Sequence, residues 1–435
     1  MKTAFILPLL AGGLALWAGC ANVPTAGGFD TVEQQVNQRV RHRVVWRLDA
    51  AADARADAAI QALMQTNLTS RAAIQVALLN NRHLQATYED LGVSQAALVQ
   101  AGLLKNPVFD VAVRFPTSGG STELELGVAQ DFLAMLYLPL RKQVAAEEFA
   151  SAQLRVTQAV LATAGDAQRV FYRLQADAQL RNMWEQVARS TDASLEAAKR
   201  LRAAGNITEL ALAQEQALHE EAKLDLQSAE SRIANGRERL NALMGLWGRN
   251  LKWQITPRLP DVPTAAMPLD AVESQAIARN LELAARRHDV RAALKRLGIN
   301  RAEALLPELE AGAETERDGG HWSVGPAVAF PLLLFDQGQA RVATAAARLR
   351  RHQQTYHAQA VDLRAATRAA SRRLLDARRR AVHYRDVVLP LHDRIVQRTM
   401  LQYNAMQKGV FAVLLAKRQA IAAGQAYVES QHDYW

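Results

Sequence analysis

Residues 307–335 read PELEAGAETERDGGHWSVGPAVAFPLLLF, with one alternating run of side chains on each side of Gly319-Gly320. Apolar or small side chains alternate with glutamates as far as Arg317, and the alternation resumes with Trp322 after Gly319-Gly320. A period of two is typical of β-strands, whose successive side chains point to opposite faces of a sheet. The stretch therefore predicts a hairpin of two strands of roughly ten residues. Each strand has one apolar face and one small or acidic face.

The first half of the chain carries the same plan. Alternating residues between Phe109 and Val128 predict another hairpin, at 107–132, and long helix-forming segments flank both hairpins. Matching residues recur about 200 positions apart, which indicates an internal duplication. These pairs are Asn81 with Asn280, Leu84 with Leu283, Pro107 with Pro307, Phe132 with Phe330, and Gly205 with Gly409. The chain is thus expected to be mainly α-helical, with a duplicated helix–β-hairpin–long helix–helix repeat.

The expected domain organisation follows from this duplication. We expect residues 68–249 to form the first repeat and residues 269–435 to form the second, which contains the hairpin at 307–335. A segment at 250–268 joins them, and its prolines, which include Pro257, Pro260 and Pro263, mark it as a linker. Residues 20–67 are expected to form an N-terminal tether and helix, after a signal peptide at 1–19.

The segments outside the hairpins and the linker are expected to be helical over many turns, because few of their residues break helices. These segments are 31–65, 68–104, 141–204, 208–246, 269–305, 337–407 and 409–430. Pro390 is expected to kink its helix or to end it locally. The same helix has an apolar seam whose steps alternate between four and three residues, a repeat that packs helices side by side. The seam comprises Leu363, Thr367, Ala370, Leu374, Ala377, Ala381, Tyr384, Val388, Leu391 and Ile395.

The N-terminus has the features of a secretory signal peptide, with Lys2 before an apolar run from Phe5 to Leu16. That run is too short to span a bilayer, and no later stretch has the roughly twenty apolar residues of a transmembrane helix. Cys20 is the only cysteine, so an internal disulfide framework is excluded. The residues before it resemble a bacterial lipobox, which implies cleavage before Cys20 and attachment of lipid there. The alternative is ordinary cleavage nearby, with an unmodified thiol.

The two hairpins together have too few strands for a barrel. The smallest familiar membrane barrels need about eight strands. An open sheet edge in lipid is very costly, because its backbone groups find neither water nor a partner strand. The chain must therefore pool its strands with other copies, or it must keep the hairpins out of the membrane.

The whole mature chain resembles the TolC-like outer-membrane efflux proteins. The motifs that carry the resemblance, besides the duplicated plan, are Asn106-Pro107, the run FPLLLFDQGQ at 330–339, Leu389-Pro390, Tyr403, Gly409, and LLAKR at 414–418. The resemblance implies a homotrimer with a twelve-stranded transmembrane β-barrel, a long periplasmic α-helical tunnel, and an outer-membrane lipid anchor at Cys20. It also implies a channel that passively conducts substrate delivered by a periplasmic membrane-fusion adaptor and an inner-membrane transporter. The substrate itself cannot be read from the sequence.

Two groups of residues are candidate functional sites. Acidic side chains on the polar strand faces would line the barrel lumen and favour cations, or they would simply be wetted by solvent. These are Asp110, Glu123, Glu125, Glu308, Glu310 and Glu314. By resemblance, the two turns between long helices form the periplasmic tip and meet the adaptor, although glycine in them also suits ordinary turn chemistry. The tip residues are Gly205, Asn206, Ile207, Thr208, Gly409, Val410 and Phe411.

Other function classes lack support in the sequence. The net charge of +9 suits nucleic acid or an anionic membrane surface, but no nucleic-acid motif is present. The ten histidines are scattered, and no residues form a catalytic, metal-binding or cofactor-binding constellation. We therefore expect no enzyme. Two alternatives to the channel stay open: a lipid-anchored periplasmic coiled-coil scaffold without a pore, and an adaptor subunit, which would need a β-rich module that the sequence does not show.

Overall fold

A computed structural model describes residues 22–115, 117, 122–265, 267–306, 309–318 and 320–435. The expected signal peptide, Cys20 and Glu308 lie outside the described residues. The described chain is helical apart from four strands and short connections. None of its helices is both long enough and apolar enough to cross a membrane.

The elements of the first repeat follow the expected order, preceded by two helices. Those two are α1 (Phe29–Val40) and α2 (Ala50–Met64). Then come α3 (Ser70–Asn80), α4 (Arg82–Ala101), β1 (Val108–Arg114), β2 (Glu123–Asp131), α5 (Phe132–Ala203) and α6 (Glu209–Met244). The expected helix at 31–65 is thus wrong as a single element, because residues 41–49 between α1 and α2 are not helical.

The second repeat has the same order. A short 3₁₀ turn at Gly248–Leu251 opens the linker. The elements after it are α7 (Val272–Arg279), α8 (Leu281–Leu305), β3 (Glu310–Asp318), β4 (His321–Ala329), α9 (Gln339–His383), a π-helical turn (Tyr384–Val388), α10 (Leu389–Asn404) and α11 (Val410–Tyr434). The duplicated helix–hairpin–helix–helix plan is confirmed.

Two expected single helices are in fact pairs of helices. The segments 68–104 and 269–305 are broken at Asn81 and at Asn280, two of the residues that reveal the duplication. The Asn81 side-chain oxygen accepts a hydrogen bond from the backbone N–H of Leu84 at 2.9 Å, and Asn280 does the same for Leu283 at 2.7 Å. Both asparagines therefore cap new helices, which explains why they recur at matching positions.

The start of α5 differs from the expectation that the helix begins at Arg141. The Asp131 side chain accepts a hydrogen bond from the backbone N–H of Ala134 at 2.8 Å, so the helix begins directly after β2 and includes Pro139. After β4, by contrast, Pro331 follows at once, and residues 330–338 stay non-helical until α9 begins. The two repeats therefore leave the sheet in different ways.

Pro390 neither ends its helix nor leaves it purely α-helical. The proline nitrogen has no N–H to donate, and the chain forms a π turn just before it, in which Leu389 N–H bonds to the carbonyl of Tyr384. The extra residue rotates the following part of the helix. Leu391 and Ile395, expected in the seam, are 47% and 36% exposed, whereas Thr399 is buried. The seam prediction is wrong beyond Val388 for this reason.

The described residues fall into two compact units. The first comprises residues up to Val32, Thr87–Thr157 and Asn280–Val361, and it contains the sheet. Its buried residues include Tyr88, whose ring meets that of Phe29 edge to face at 5.0 Å between centroids.

The second unit comprises Glu33–Ala86, Gln158–Arg279 and Asp362–Trp435. Its core includes the buried residues Leu180, Trp184 and Leu259.

Candidate functional site: the acidic face of the sheet and two helical turns

The four strands form one antiparallel sheet in the order β1-β2-β3-β4. Its register extends the alternation of each strand across the whole sheet, because directly paired residues project from the same face. Phe109 pairs with Val128, which pairs with Ala313, which pairs with Pro326. The predicted apolar faces thus combine into a single apolar face. Three of its large side chains, those of Val111, Val324 and Val328, are more than half exposed in the single chain.

The opposite face carries the predicted carboxylates. Asp110, Gly127, Glu314 and Gly325 pair in one row, in which acids alternate with glycines. A β-carbon at Gly127 would lie 3.6 Å from both Asp110 Cβ and Glu314 Cγ, so these two acids flank a strip of uncovered backbone. The same face carries Glu123, Glu125, Glu310 and Glu316 by alternation. The structure therefore brings the five described candidates together on a face that also carries Glu316 and, at the strand ends, Asp131 and Asp318.

One cation interrupts this acidic face. Arg114 Nη2 lies 3.0 Å from Glu125 Oε2, and its Nη1 lies 3.9 Å from Glu123 Oε2. These two carboxylates, near the hairpin turns, are therefore partly neutralised, whereas Asp110 and Glu314 have no basic side chain on their own face within their row. The alternation of the first hairpin places Arg114 on the same face as Asp110. This was the only feature of the sequence that could have predicted its contact with the acids.

The first helical turn, between α5 and α6, ends one helix and caps the next. Gly205 N–H bonds to the carbonyl of Arg202, and Asn206 N–H bonds to that of Leu201, both at 2.9 Å. Gly205 has φ of +75°, which is the left-handed conformation that such a helix end requires. The Thr208 hydroxyl accepts from the backbone N–H of Ala211 at 3.1 Å and caps α6.

The second turn, between α10 and α11, repeats this geometry with different residues. Met406 N–H bonds to the carbonyl of Tyr403, and Gln407 N–H bonds to that of Gln402, both at 2.9 Å. Met406 has φ of +58° and is therefore the equivalent of the first glycine, Gly205. Gly409 instead takes the helix-capping position that Thr208 holds in the first turn. The pairing of Gly205 with Gly409 as duplicated residues is therefore wrong by three positions.

An ion cluster joins α5 to α8 within the first unit. Glu147 Oε2 lies 2.7 Å from His288 Nδ1, and Glu147 Oε1 accepts from Lys295 Nζ at 2.8 Å. Burial acts to raise the pKa of Glu147, but the hydrogen bonds from Lys295 and His288 outweigh it and hold that pKa below its usual value. The described residues contain no group of three or more acidic, histidine or cysteine side chains that could hold a metal ion.

Comparison with known proteins gives a family match for the second repeat and one relative along most of the chain. Residues 272–434 match the family model described as "Outer membrane efflux protein". The chain is 25% identical to the cobalt-zinc-cadmium resistance protein CzcC of Cupriavidus metallidurans over 394 residues, which are 83% of this chain and 86% of that protein.

Solved structures show the same fold. The outer-membrane channel OprN superposes with a TM-score of 0.72 at 15% identity, covering 95% of each chain. The CmeC outer membrane channel of Campylobacter jejuni gives 0.70 at 16% identity, covering 84% of this chain and 83% of that one. Both of these structures are described as outer-membrane channels. The chain therefore has the fold of outer-membrane efflux channels, and its second repeat matches the family model of outer-membrane efflux proteins.

Proposed function

We propose that three copies of this chain form one exit duct, which conducts substrate passively from a periplasmic adaptor and an inner-membrane pump. The proposal is supported by the sheet, whose edge strands β1 and β4 each have one neighbour in the chain. Pairing β1 of one copy with β4 of the next would remove every open edge, as a membrane barrel requires. Crosslinking or mass measurement of the purified protein in detergent should give a trimer. A stable monomer would refute this assembly.

The duct favours cations. The observation that carries this part is the polar sheet face, where eight carboxylates and one guanidinium lie together. Three copies would place twenty-four carboxylates around one lumen, and rings of acidic side chains favour cations. We further propose divalent metal cations as the substrate class, because the matched relative is a cobalt-zinc-cadmium resistance protein.

Planar-bilayer recordings test the ion preference. A potassium chloride gradient across a bilayer holding the protein should give a reversal potential of the sign that cation permeation produces. The triple variant Asp110→Asn, Glu310→Gln, Glu314→Gln should move this potential towards zero. Anion preference in the wild type at neutral pH would contradict the proposal, and an absence of conductance would favour the scaffold without a pore.

Metal export is tested separately in cells. A strain that lacks this chain but retains its pump should be sensitive to zinc, cobalt or cadmium, and expression of the chain should restore resistance. If the chain does not change metal sensitivity although the channel prefers cations, the proposed channel function stands and the proposed metal substrate is refuted.

The two helical turns form the adaptor-binding tip. The proposed contacts are Gly205, Asn206, Ile207, Thr208, Gly409, Val410 and Phe411. Phe411 supports this because its side chain is 44% exposed in the first turn of α11, where a partner can reach it. Replacing Val410 and Phe411 by Asp should abolish export while the oligomer still assembles. Export by an assembled double variant would refute the assignment.

A lipid at Cys20 anchors the chain to the outer membrane in addition to its strands. The lipobox resemblance of the preceding residues supports this proposal. Cells fed labelled palmitate should incorporate label into the wild type and not into Cys20→Ser. Equal labelling of both proteins would exclude Cys20 as the attachment site.

A further inference from the structure

The apolar surface of the first unit does not stop where the strands end. Phe330, Leu332 and Leu334 follow β4 and are 64%, 74% and 70% exposed. Phe132, Leu136 and Leu140 lie one helical turn apart at the start of α5 and are also exposed. These six residues, here called the collar, continue the apolar sheet face on the side where the helices join the sheet.

The beginning of α5 is apolar all around its circumference. Residues 132–140 read FLAMLYLPL, and their one polar group, the Tyr137 hydroxyl, donates to the carbonyl of Leu306 at 3.1 Å. Leu133, Ala134 and Tyr137 are buried within the unit, while the collar residues face outward. A helix that is hydrophobic on every side belongs in a protein core or in a membrane. The outward side therefore needs an apolar cover.

The collar ends abruptly at charged residues. Arg141 and Lys142 follow Leu140 directly, and no large hydrophobic side chain is exposed between residues 141 and 157, all of which the structure describes. On the other segment, Asp336 and Arg341 follow the exposed residues. Basic side chains next to an apolar band are typical of a membrane–water interface, where they reach the headgroups.

The length of the strands indicates what covers the collar. Nine-residue strands such as β2 and β4 span about 26 Å at ~3.3 Å per residue. At the usual barrel tilt they would provide roughly 20 Å of height, whereas the apolar band of membrane barrels is about 25 Å tall. Residues 132–140 of α5 extend over about 12 Å. The collar can therefore supply the part of the band that the strands lack.

We propose that the collar is embedded in the periplasmic leaflet of the outer membrane and is covered by phospholipid acyl chains. For Phe132, Leu136 and Leu140 a neighbouring copy is the less suitable cover, because α5 leaves the inner strand β2 and not the edge strands through which copies would join. The inference depends on the outer-membrane location of the chain and not on the proposed ion preference or substrate.

Fluorophore labelling of the full chain in vesicles tests this. Leu136→Cys and Leu332→Cys are each labelled with a polarity-sensitive fluorophore in phosphatidylethanolamine–phosphatidylglycerol vesicles, some of whose lipids carry nitroxide on the acyl chain. Gln143→Cys is the matched control, since Gln143 is exposed two turns further along the same side of α5. The wild type, with Cys20 as its one cysteine, reports background labelling.

Labels at 136 and 332 should emit at shorter wavelength than the label at 143, and lipid nitroxide should quench them severalfold more strongly. Aqueous iodide should quench the label at 143 instead. Equal iodide quenching at 136 and 143 would show that water covers the collar. Protection of 136 from both quenchers would show that protein covers it. Either result would overturn the proposal, whether or not the channel conducts cations.

Discussion

Replacing Gly312 by alanine should destabilise the sheet at one identifiable contact. Gly312 lies in β3 opposite Ala129 of β2. A β-carbon at this position would lie 2.0 Å from the carbonyl oxygen of Val128 and 3.0 Å from the Cα of Ala129. Backbone atoms cannot turn aside as a side chain does. The two strands would therefore have to separate by about 1 Å to bring the shorter contact to 3.0 Å.

That separation sets the expected magnitude. An interstrand N···O distance of about 2.9 Å would grow to about 3.9 Å, beyond the range of a hydrogen bond. Each lost bond costs about 0.5–1.5 kcal/mol, and overpacking typically costs about 1–3 kcal/mol in all. We expect Gly312→Ala to lower the free energy of unfolding by about 1–3 kcal/mol, which is roughly a five- to 150-fold change in the folding equilibrium.

Gly325→Ala is the matched control for this experiment. Gly325 lies on the same face of the adjacent strand β4, and a β-carbon there would meet no atom within 4 Å. Its replacement should change stability by no more than about 0.5 kcal/mol. Equilibrium unfolding in urea, followed by tryptophan fluorescence of the vesicle-bound protein, measures both variants. Wild-type stability in Gly312→Ala, or equal losses in both variants, would refute the reasoning.

Three further predictions use other parts of the molecule. Gly205→Ala should lower the unfolding free energy by about 1 kcal/mol and Met406→Gly should raise it by up to that amount, because both positions need the left-handed backbone conformation. Thermal unfolding should show the two changes with opposite signs. Changes of the same sign would contradict the assignment. Because the folded-state pKa of Glu147 is depressed, its ion cluster stabilises the protein above about pH 4.3 and loses that effect as the pH falls through the lower folded-state pKa. Glu147→Gln should therefore cost about 1–2 kcal/mol at pH 7 and progressively less as the pH falls below the usual pKa of glutamate. A pH-independent difference in urea unfolding would count against this. Arg114→Gln should increase the cation-to-anion permeability ratio, since the carboxylate of Glu125 then has no guanidinium beside it to offset its charge. An unchanged reversal potential would show that this pair does not face the conducting path.

The features that rest on regular periodicity could be predicted from the sequence. Alternation places Glu314 and Thr315 on opposite faces of their strand whatever their neighbours are, so both hairpins and the two faces of each strand could be assigned before the register was known. The shared face of the carboxylates followed from the same rule. Their pairing with Arg114 did not, because the register between β1 and β2 depends on the turn that joins them.

The features that could not be predicted depend on the backbone conformation of single residues. Asn81 and Asn280 are tolerated inside helices, and only their backbone conformation makes them caps. Asp131 ends a strand and also caps α5, so Pro139 falls inside a helix that the sequence suggested would start after it. In the second helical turn, methionine occupies a position that normally indicates glycine, and Gly409 misled the alignment of the two repeats.

The π turn at Tyr384–Val388 lies inside one continuous helix and changes which side of that helix faces its neighbours. One surplus residue turns everything beyond it by about 100°, so the stripe ending at Val388 gives way to another that includes Thr399. A bundle built from such rods can exchange one set of lateral neighbours for another partway along its length, without breaking a helix or inserting a loop.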